Sequence, residues 1–326
     1  MNILVVGAAG FVGSHLVKHM RSAGHNVVGL DIDGVRQDKI FEKTIPTYCC
    51  DFGSQSMVQS ILQRHHIDIV VQCGGHTPYV ANGIHPSKLY TNDVICNLFF
   101  LDTLIKSGIK KFIFLSSQEV FGMQSVMPIS SNACTMPVSA LGNAQLFVEN
   151  ALESFRNSDN ISYAIIRCAE ITGLSEVEYP FFVDNLSKGR IAQIVRYICG
   201  KVSQIELNVL TDQTVDGSIE RDYVHIDDFC TACMNILPML VVNGESFVYN
   251  VGMGNKYSMK EVIMMAEETF GVSIDIPYSP IADDVAPRAY FDVFKTRNDL
   301  QWSPKYDTLE KIFDTYKHYL LGKQRV

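Results

Sequence analysis

Three glycines near the amino terminus have the spacing of a phosphate-binding turn. The segment Gly7-Ala8-Ala9-Gly10-Phe11-Val12-Gly13 directly follows the apolar run Ile3–Val6 and leads into a helix-like stretch near 11–23. Glycine permits the unusual dihedral angles of such a turn, the close approach of the backbone to a pyrophosphate, and tight packing of helix on strand. The start of the helix offers free N–H groups and the positive end of its dipole to phosphate oxygens. The segment therefore predicts a dinucleotide-binding loop formed by Gly7, Ala9, Gly10, Phe11, Val12 and Gly13.

Two acidic residues end the next apolar run. Asp31 and Asp33 follow the run Asn26–Leu30, roughly 20 residues beyond the glycines, which is the position of the ribose-binding acid in dinucleotide sites. A carboxylate there accepts hydrogen bonds from ribose hydroxyls and repels a 2′-phosphate. The pattern favours NAD over NADP.

The elements that must position these residues alternate along the first half of the chain. Apolar runs at Ile3–Val6, Asn26–Leu30, Ile67–Gln72, Lys111–Leu115 and Tyr163–Ile166 are separated by helix-like stretches near 11–23, 54–65, 86–107 and 140–157. Continuous apolar strands that alternate with helices are typical of a parallel sheet covered on both faces. We therefore predict an α/β fold with a Rossmann-type, doubly wound parallel sheet.

The pattern changes after residue 175. Glu178–Arg196 and Met259–Phe270 have the pattern of helices, whereas Val224–Leu237 and Phe247–Val251 look like parts of the sheet domain that return late in the chain. We predict a nucleotide-binding domain formed by 1–175 plus 223–251, and a smaller C-terminal α/β substrate lobe formed by 176–222 plus 252–326.

Composition excludes several classes of protein. The chain has 326 residues, of which 47% are hydrophobic and 19% charged, so it is long and apolar enough for a substantial core and is not intrinsically disordered. The formal net charge of −8 would repel a polyanion, so we expect no nucleic-acid partner.

The ends of the chain and its cysteines indicate a cytoplasmic protein. Met1 and Asn2 lead straight into an apolar strand without the features of a secretory signal, and no apolar run approaches the roughly 18 residues of a membrane helix. The nine cysteines are scattered and odd in number, which suits reduced thiols. Cys230 and Cys233 form a lone CxxC pair without a second ligand pair, so we expect no metal site.

Further motifs carry a resemblance to a known family. They are Cys50-Asp51-Phe52, Gln72-Cys73-Gly74-Gly75-His76, Tyr90-Thr91-Asn92-Asp93-Val94, Leu115-Ser116-Ser117-Gln118-Glu119-Val120-Phe121-Gly122, Arg221-Asp222-Tyr223-Val224-His225-Ile226-Asp227-Asp228 and Tyr249-Asn250-Val251-Gly252. Together with the glycine loop, they resemble the NAD-dependent epimerases and dehydratases of the extended short-chain dehydrogenase/reductase family. The similarity covers nearly the whole chain. Within the family, the stretch from Asp216 to Asp228 looks most like the UDP-hexose 4-epimerases, whereas Glu119 looks like the acid of the dehydratases and decarboxylases.

The resemblance implies a ligand for each lobe. The residues it implies for NAD are Asp51, Phe52, Cys73, Gly74, Gly75, Asn92, Ser116 and Gln145. Those it implies for a nucleotide-activated sugar are Glu170, Arg221, Tyr249 and Arg288. The family pattern RPGD appears here as Ile281-Ala282-Asp283-Asp284 and lacks the arginine, for which Arg288 could substitute. It also implies a homodimer formed through helices near 86–107 and 140–157.

The sequence departs from the family at its reaction centre. The family's YxxxK pair falls on Leu141 and Gln145. Leucine has no ionisable proton and cannot act as a general acid or base. Glutamine can hydrogen-bond a ribose but adds no positive charge.

Two functions are therefore open. In the first, the protein is an enzyme of the epimerase/dehydratase type that transiently oxidises a nucleotide-activated sugar. Ser117 would then bind the reacting hydroxyl, and Glu119, with His76 or Tyr79, would move protons. In the second, it is a catalytically inactive protein that binds NAD or a nucleotide sugar as a sensor or partner subunit.

Overall fold

A computed structural model describes residues 1–75, 85–175, 189–242 and 244–323. Two of the predicted reaction residues, His76 and Tyr79, lie outside this part of the chain, as does most of the predicted helix Glu178–Arg196. Contacts group the chain into two compact units. Unit 1 consists of Met1–Val120, Ala140–Arg167 and Cys230–Tyr249, and unit 2 of Phe121–Ser139, Cys168–Phe229 and Asn250–Val326. The lobe boundaries given above stay a prediction.

The strands, in chain order, are β1 (Asn2–Val6), β2 (Asn26–Asp31), β3 (Thr47–Cys49), β4 (Ile69–Gln72), β5 (Lys111–Ser117), β6 (Ser162–Cys168), β7 (Glu170–Thr172), β8 (Leu207–Leu210), β9 (Glu220–Arg221), β10 (Tyr223–His225), β11 (Phe247–Val251), β12 (Tyr257–Ser258), β13 (Tyr278–Pro280) and β14 (Arg288–Ala289).

The α-helices are α1 (Phe11–Ser22), α2 (Gly34–Phe41), α3 (Gln55–Arg64), α4 (Pro86–Tyr90), α5 (Cys96–Lys106), α6 (Ala140–Asp159), α7 (Arg190–Ile198), α8 (Ile226–Val242), α9 (Met259–Phe270), α10 (Phe294–Leu300) and α11 (Leu309–Lys323). A π-helical turn, Thr91–Ile95, joins α4 to α5, and a 3₁₀ turn, Gln118–Phe121, follows β5.

Seven strands form one sheet in the order β11-β6-β5-β4-β1-β2-β3. The pairs β1–β2, β1–β4, β2–β3 and β4–β5 run parallel. From β3 to β6 this is the strand order of a doubly wound dinucleotide-binding sheet, whose direction of winding reverses at β1. The predicted α/β, Rossmann-type fold is confirmed.

Burial explains why these runs are strands. All seven residues of β6 and all four of β4 are buried, as expected of central strands that helices cover on both faces. Side chains from the sheet pack with apolar side chains of α3, α5 and α6 in one cluster that includes Leu4, Val70, Ile61, Phe100 and Val148. The carboxyl ends of the strands are therefore held on a rigid support.

Unit 2 contains smaller sheets and its own core. Its three-stranded sheet has the order β12-β9-β14, and β8 pairs with β13. Helices α7, α9 and α11 contribute to one buried cluster, represented by Ile194, Val262 and Phe313. A capping box between Ser258 and Glu261 starts α9, so the beginning of this helix agrees with the residue predicted from the sequence.

Two local features differ from the sequence expectation. The stretch near 86–107, predicted as one helix, is interrupted by the π-helical turn Thr91–Ile95. Helix α2, which is short, was not predicted. Among the described residues, the helices include none that is long and apolar enough to cross a membrane.

Candidate functional site

The glycine loop has the geometry that its sequence predicts. Gly7 has a left-handed φ of 75°, its N–H donates to Leu30 O at 2.8 Å, and Gly10 N–H donates to Gly7 O at 2.9 Å. A Cβ atom on Gly13 would overlap Gly7 O, so only glycine allows α1 to approach β1 this closely. The turn is thus built from backbone contacts that a side chain would prevent.

The start of α1 suits an anion. Its N-cap residue, Gly10, has no side chain to occupy the first N–H groups, and the first turn contains no acidic residue. Free N–H groups and the positive end of the helix dipole both favour a bound phosphate. Ala9, Phe11 and Val12 lie in the same turn, as predicted.

The two predicted ribose acids have different surroundings. Asp31 Oδ2 accepts a hydrogen bond from Ala9 N–H at 2.9 Å, which ties the end of β2 to the glycine loop. Asp31 Oδ1 accepts from Asp33 N–H at 3.0 Å. Asp33 caps α2 by accepting from Arg36 N–H. Each carboxylate oxygen can accept a second hydrogen bond, so Asp31 retains capacity for a ribose hydroxyl.

The residues that follow β3 form a tight turn. Asp51 Oδ1 accepts from Gly53 N–H at 2.7 Å. The ring of Phe52 is buried and packs edge-on against Phe100, with 5.8 Å between ring centroids. A cofactor could therefore contact Phe52 only through its backbone, whereas the Asp51 carboxylate is exposed.

The turn after β4 packs directly on the glycine loop. Cys73 N–H donates to Val6 O, and a Cβ atom on Gly7 would lie 2.7 Å from Gly74 N. A Cβ atom on Gly75 would lie 2.8 Å from Asp93 Oδ1, and Asn92 Nδ2 donates to that same oxygen at 3.3 Å. The predicted cofactor residues Cys73, Gly74, Gly75 and Asn92 are thus brought together with the loop at the carboxyl edge of the sheet.

Two successive serines at the end of β5 connect the sheet to α6. Ser117 Oγ donates to Gln145 Oε1 at 2.6 Å. Ser116 Oγ donates to Glu149 Oε1 at 2.6 Å, and Glu149 forms a buried ion pair with Arg167 at 2.7 Å. Ser116 is fully buried, and its hydroxyl connects β5 to α6 through Glu149.

The position of the family tyrosine lies in an apolar cluster. Leu141 is 4% exposed and packs with Leu89, Ala144 and Val94. One turn later, Gln145 uses its carbonyl oxygen to accept from Ser117. Neither side chain can exchange a proton near neutral pH.

Glu119 is an ionisable side chain that follows Ser117 closely in the chain. It is partly buried and lies in the 3₁₀ turn Gln118–Phe121. Its N–H donates to Ser117 Oγ at 3.2 Å. Ser117 therefore uses its proton and one acceptor position within the protein, and Glu119 supplies a carboxylate two residues away in the chain.

The predicted sugar-binding residues belong to both units. In unit 2, Glu170 lies 3.7 Å from Arg190 in an ion pair. Arg221 is buried, and its guanidinium donates to Glu220 O, Pro287 O and Ala286 O. Tyr249 belongs to unit 1, is fully buried and contacts Met239.

Arg221 and Arg288 lie on opposite faces of the β12-β9-β14 sheet. Arg288 pairs in register with Glu220, and its guanidinium lies 3.6 Å from the Glu220 carboxylate. Arg221 is the next residue of β9, so its side chain projects from the other face. The two arginines predicted to bind the sugar ligand therefore leave this sheet on opposite faces.

Sequence reasoning missed Asp222. This carboxylate is fully buried and accepts hydrogen bonds from the N–H groups of Tyr223, Met253, Gly254 and Phe291. Burial raises the pKa of Asp222 to about 7, although these hydrogen bonds favour the charged form. The available signal was its position directly after Arg221 in the motif Arg221-Asp222-Tyr223.

Thiol and acidic side chains give no metal centre in the part of the chain that the structure describes, since no three His, Cys, Asp or Glu residues there are grouped to hold an ion. Cys230 and Cys233 are fully buried on α8.

Comparisons with known proteins agree with this geometry. Residues 3–252 match the model of the NAD dependent epimerase/dehydratase family. Similar curated proteins include the UDP-glucose 4-epimerase of Azospirillum brasilense, 25% identical over 95% of this chain and 89% of that protein, and the one from Halalkalibacterium halodurans, 27% identical over 96% and 94%. The crystal structure of UDP-glucose 4-epimerase from Bifidobacterium longum in complex with NAD⁺ and UDP aligns with a TM-score of 0.88, at 23% identity over 99% of both chains. The chain belongs to the NAD dependent epimerase/dehydratase family.

Proposed function

We propose that this protein binds NAD and a nucleotide-activated sugar but does not carry out the proton transfer that the family assigns to its YxxxK pair. The observation that carries the proposal is the burial of Leu141 in an apolar cluster, together with the engagement of Gln145 by Ser117. The protein would act as a sensor or as the partner subunit of another enzyme.

The residues present fit NAD. The glycine loop and the start of α1 would hold the pyrophosphate, and Asp31 would accept from an adenosine ribose hydroxyl. Asp51 would contact adenine, as the family resemblance implies. When bound, NAD supplies a hydride acceptor and donor. NAD is favoured over NADP because the carboxylate of Asp31 would repel a 2′-phosphate.

The missing proton transfer follows from the side chains themselves. A general acid or base contributes about 10²–10⁴-fold to a rate. At position 141 there is no group to supply it, and Ser117 already donates its proton to Gln145. Gln145 carries no positive charge, so this side chain cannot lower the pKa of a replacement acid as the family's lysine lowers that of its tyrosine.

The test separates binding from turnover. The purified protein is titrated with NAD in a calorimeter and then incubated with NAD and UDP-, dTDP-, GDP- or CDP-sugars while NMR spectra are recorded. We expect NAD to bind, every sugar to remain unchanged, and no absorbance from reduced nicotinamide to develop. Conversion of any sugar would overturn the proposal that the protein is catalytically inactive. Failure to bind NAD would overturn the proposal that NAD is its cofactor.

A second candidate is an enzyme of the epimerase/dehydratase type in which Glu119 moves the proton. It is favoured by one observation: the Glu119 backbone N–H donates to Ser117 Oγ at 3.2 Å, so an acidic residue lies in the turn that holds this hydroxyl. Under this hypothesis His76 or Tyr79 completes the site. If a sugar is converted, Glu119→Gln should abolish conversion, whereas Glu268→Gln, an exposed acid on α9, should not.

For the sugar ligand we propose a UDP-sugar, because the similar curated proteins named above are UDP-glucose 4-epimerases. The ligand residues proposed from the sequence are Glu170, Arg221, Tyr249 and Arg288. Arg288 is the more accessible of the two arginines, with 43% of its side chain exposed. Arg288→Ala should therefore weaken UDP binding, measured by calorimetry, while the melting temperature stays close to that of the wild type.

We also propose a homodimer formed through α5 and α6. Ile95, Phe99 and Phe147 are 44%, 50% and 49% exposed, and large apolar side chains grouped on a surface favour association. Sedimentation should give a dimer that Phe99→Lys with Phe147→Lys dissociates. The control Phe294→Lys, at a ring that is also exposed but lies in unit 2, should leave the dimer intact.

A further inference from the structure

Two buried amides link the end of β4 to the π-helical turn. Gly74 N–H donates to Gln72 Oε1 at 3.0 Å. Gln72 Nε2 donates to Asn97 Oδ1 at 2.7 Å, and Asn97 Nδ2 donates to Asp93 O at 2.9 Å. Three hydrogen bonds thus run in one direction, from a backbone N–H to a backbone C=O.

The two ends fix the orientation of both amides. Gly74 N–H can only donate, so the Gln72 atom beside it must be the oxygen. Gln72 then has only N–H groups left for Asn97, which must present its oxygen. Asp93 O can only accept, which agrees with the Asn97 nitrogen beside it. Reversal of either amide would place two donors or two acceptors in contact.

Water cannot easily replace these bonds. Gln72 and Asn97 are 6% and 3% exposed. They border an internal cavity of about 10 Å³ whose other lining is apolar, including Phe100 and Val148. A space of this size holds at most one water molecule. A broken link would therefore leave buried polar groups without partners, which is costly.

Both ends of the relay lie in the candidate nucleotide site. Gly74 packs on Gly7, the first glycine of the loop, so closely that only glycine fits at position 7. Asp93 lies in the π-helical turn beside Asn92, and its carboxylate occupies the space next to Gly75. Interruptions of this kind in α-helices are frequent at functional sites.

We propose that Gln72 and Asn97 are a pair of positioning residues that hold the Gly74–Gly75 turn and the π-helical turn Thr91–Ile95 in register, and so shape the NAD site. The proposal rests on the NAD binding proposed above. Neither side chain needs to touch NAD, since the pair acts through the backbone of Gly74 and Asp93.

The first experiment needs no ligand. Hydrogen exchange at the Gly74 amide is followed by NMR in the free protein. We expect the amide to be protected in the wild type and to exchange at least about tenfold faster in Gln72→Met, whereas the Cys73 amide, which donates to Val6 O, keeps its protection. An unprotected Gly74 amide in the wild type, or an unchanged rate in Gln72→Met, would overturn the proposal whatever NAD does.

The second experiment measures the dissociation constant of NAD at a temperature where every variant is fully folded. We expect Gln72→Met and Asn97→Leu to bind NAD roughly tenfold more weakly, the effect of one lost buried hydrogen bond. Asn97→Asp keeps the acceptor for Gln72 and the shape of the side chain but removes the donor to Asp93 O, and it should weaken binding as well. The control Thr103→Val removes a buried hydrogen bond to Phe99 O elsewhere on α5 and should leave the dissociation constant unchanged.

The two failures can be told apart. A wild type that does not bind NAD overturns the proposed function, and the exchange experiment still decides whether the relay exists. If the wild type binds NAD and the folded variants bind it equally well while only their melting temperatures fall, the pair is structural and the positioning role is wrong. If Gln72→Met and Asn97→Leu do not fold, the dissociation constant of NAD for Asn97→Asp decides between the two roles in the same way.

Discussion

Restoring the family's tyrosine and lysine should destabilise this protein. Leu141 is enclosed by Leu89, Ala144 and Val94, so Leu141→Tyr forces a larger ring into filled space, at a cost of about 1–3 kcal/mol. Gln145→Lys removes the acceptor of the Ser117 hydrogen bond, which costs about 1 kcal/mol.

The double variant should therefore lose roughly 2–4 kcal/mol of unfolding free energy. For a protein of this size that corresponds to a fall in melting temperature of roughly 3–6 °C. Differential scanning calorimetry and urea unfolding measure both quantities. Adding Leu89→Ala, which opens space beside position 141, should recover part of the loss.

One result would refute this reasoning. If the double variant melts at the wild-type temperature, Leu141 does not fill the space that a tyrosine needs. If it also converts a UDP-sugar, the scaffold has kept a complete epimerase site and lacks only the two side chains. The divergence of this chain would then be confined to two positions.

Three further results are expected. Gly13→Ala should weaken NAD binding by at least about tenfold in a calorimetric titration, because its Cβ would overlap Gly7 O and displace α1; unchanged affinity would contradict the tight loop. Arg167→Leu should lower the unfolding free energy by about 3–5 kcal/mol in urea, since it leaves the Glu149 carboxylate buried without its cation; adding Glu149→Leu should restore part of this. Burial raises the pKa of Asp222 to about 7, against about 3.9 in an unfolded chain. The contribution of Asp222 to the unfolding free energy is therefore complete below about pH 4. It is lost as the pH rises through the pKa of the folded protein, by about 4 kcal/mol in total. The difference in unfolding free energy between the wild type and Asp222→Asn, measured across this range, should show the decline, and a difference that moves in favour of the wild type as the pH rises would refute the assignment.

Local sequence pattern was sufficient for six of the seven strands of the large sheet, all except β3. The apolar runs before Gly7 and before Asp31 became central strands because a continuous apolar run is stable only between two layers of helices. The glycine loop could be predicted because the steric need at Gly7 and Gly13 is local. The break at Thr91–Ile95 could not be, since one inserted π-helical turn barely changes the hydrophobic periodicity.

The reaction centre shows where sequence reasoning stops. Alignment of a motif placed Leu141 and Gln145 at the dyad positions, but the bond from Ser117 to Gln145 joins residues that are distant in the chain. Likewise, the motif alone gave no means of knowing that Arg221 donates to backbone carbonyls or that Arg288 lies on the other face of its sheet. Such facts depend on tertiary packing.

The hydrogen bond between Asp31 and Ala9 bears on how cofactor preference could change. The carboxylate proposed to select NAD also anchors the loop proposed to hold the pyrophosphate. A substitution that made room for a 2′-phosphate would release that loop at the same time. Selectivity for NAD over NADP and binding of the pyrophosphate are thus coupled through one side chain. A redesign toward NADP would have to supply a new acceptor for Ala9 N–H before altering position 31.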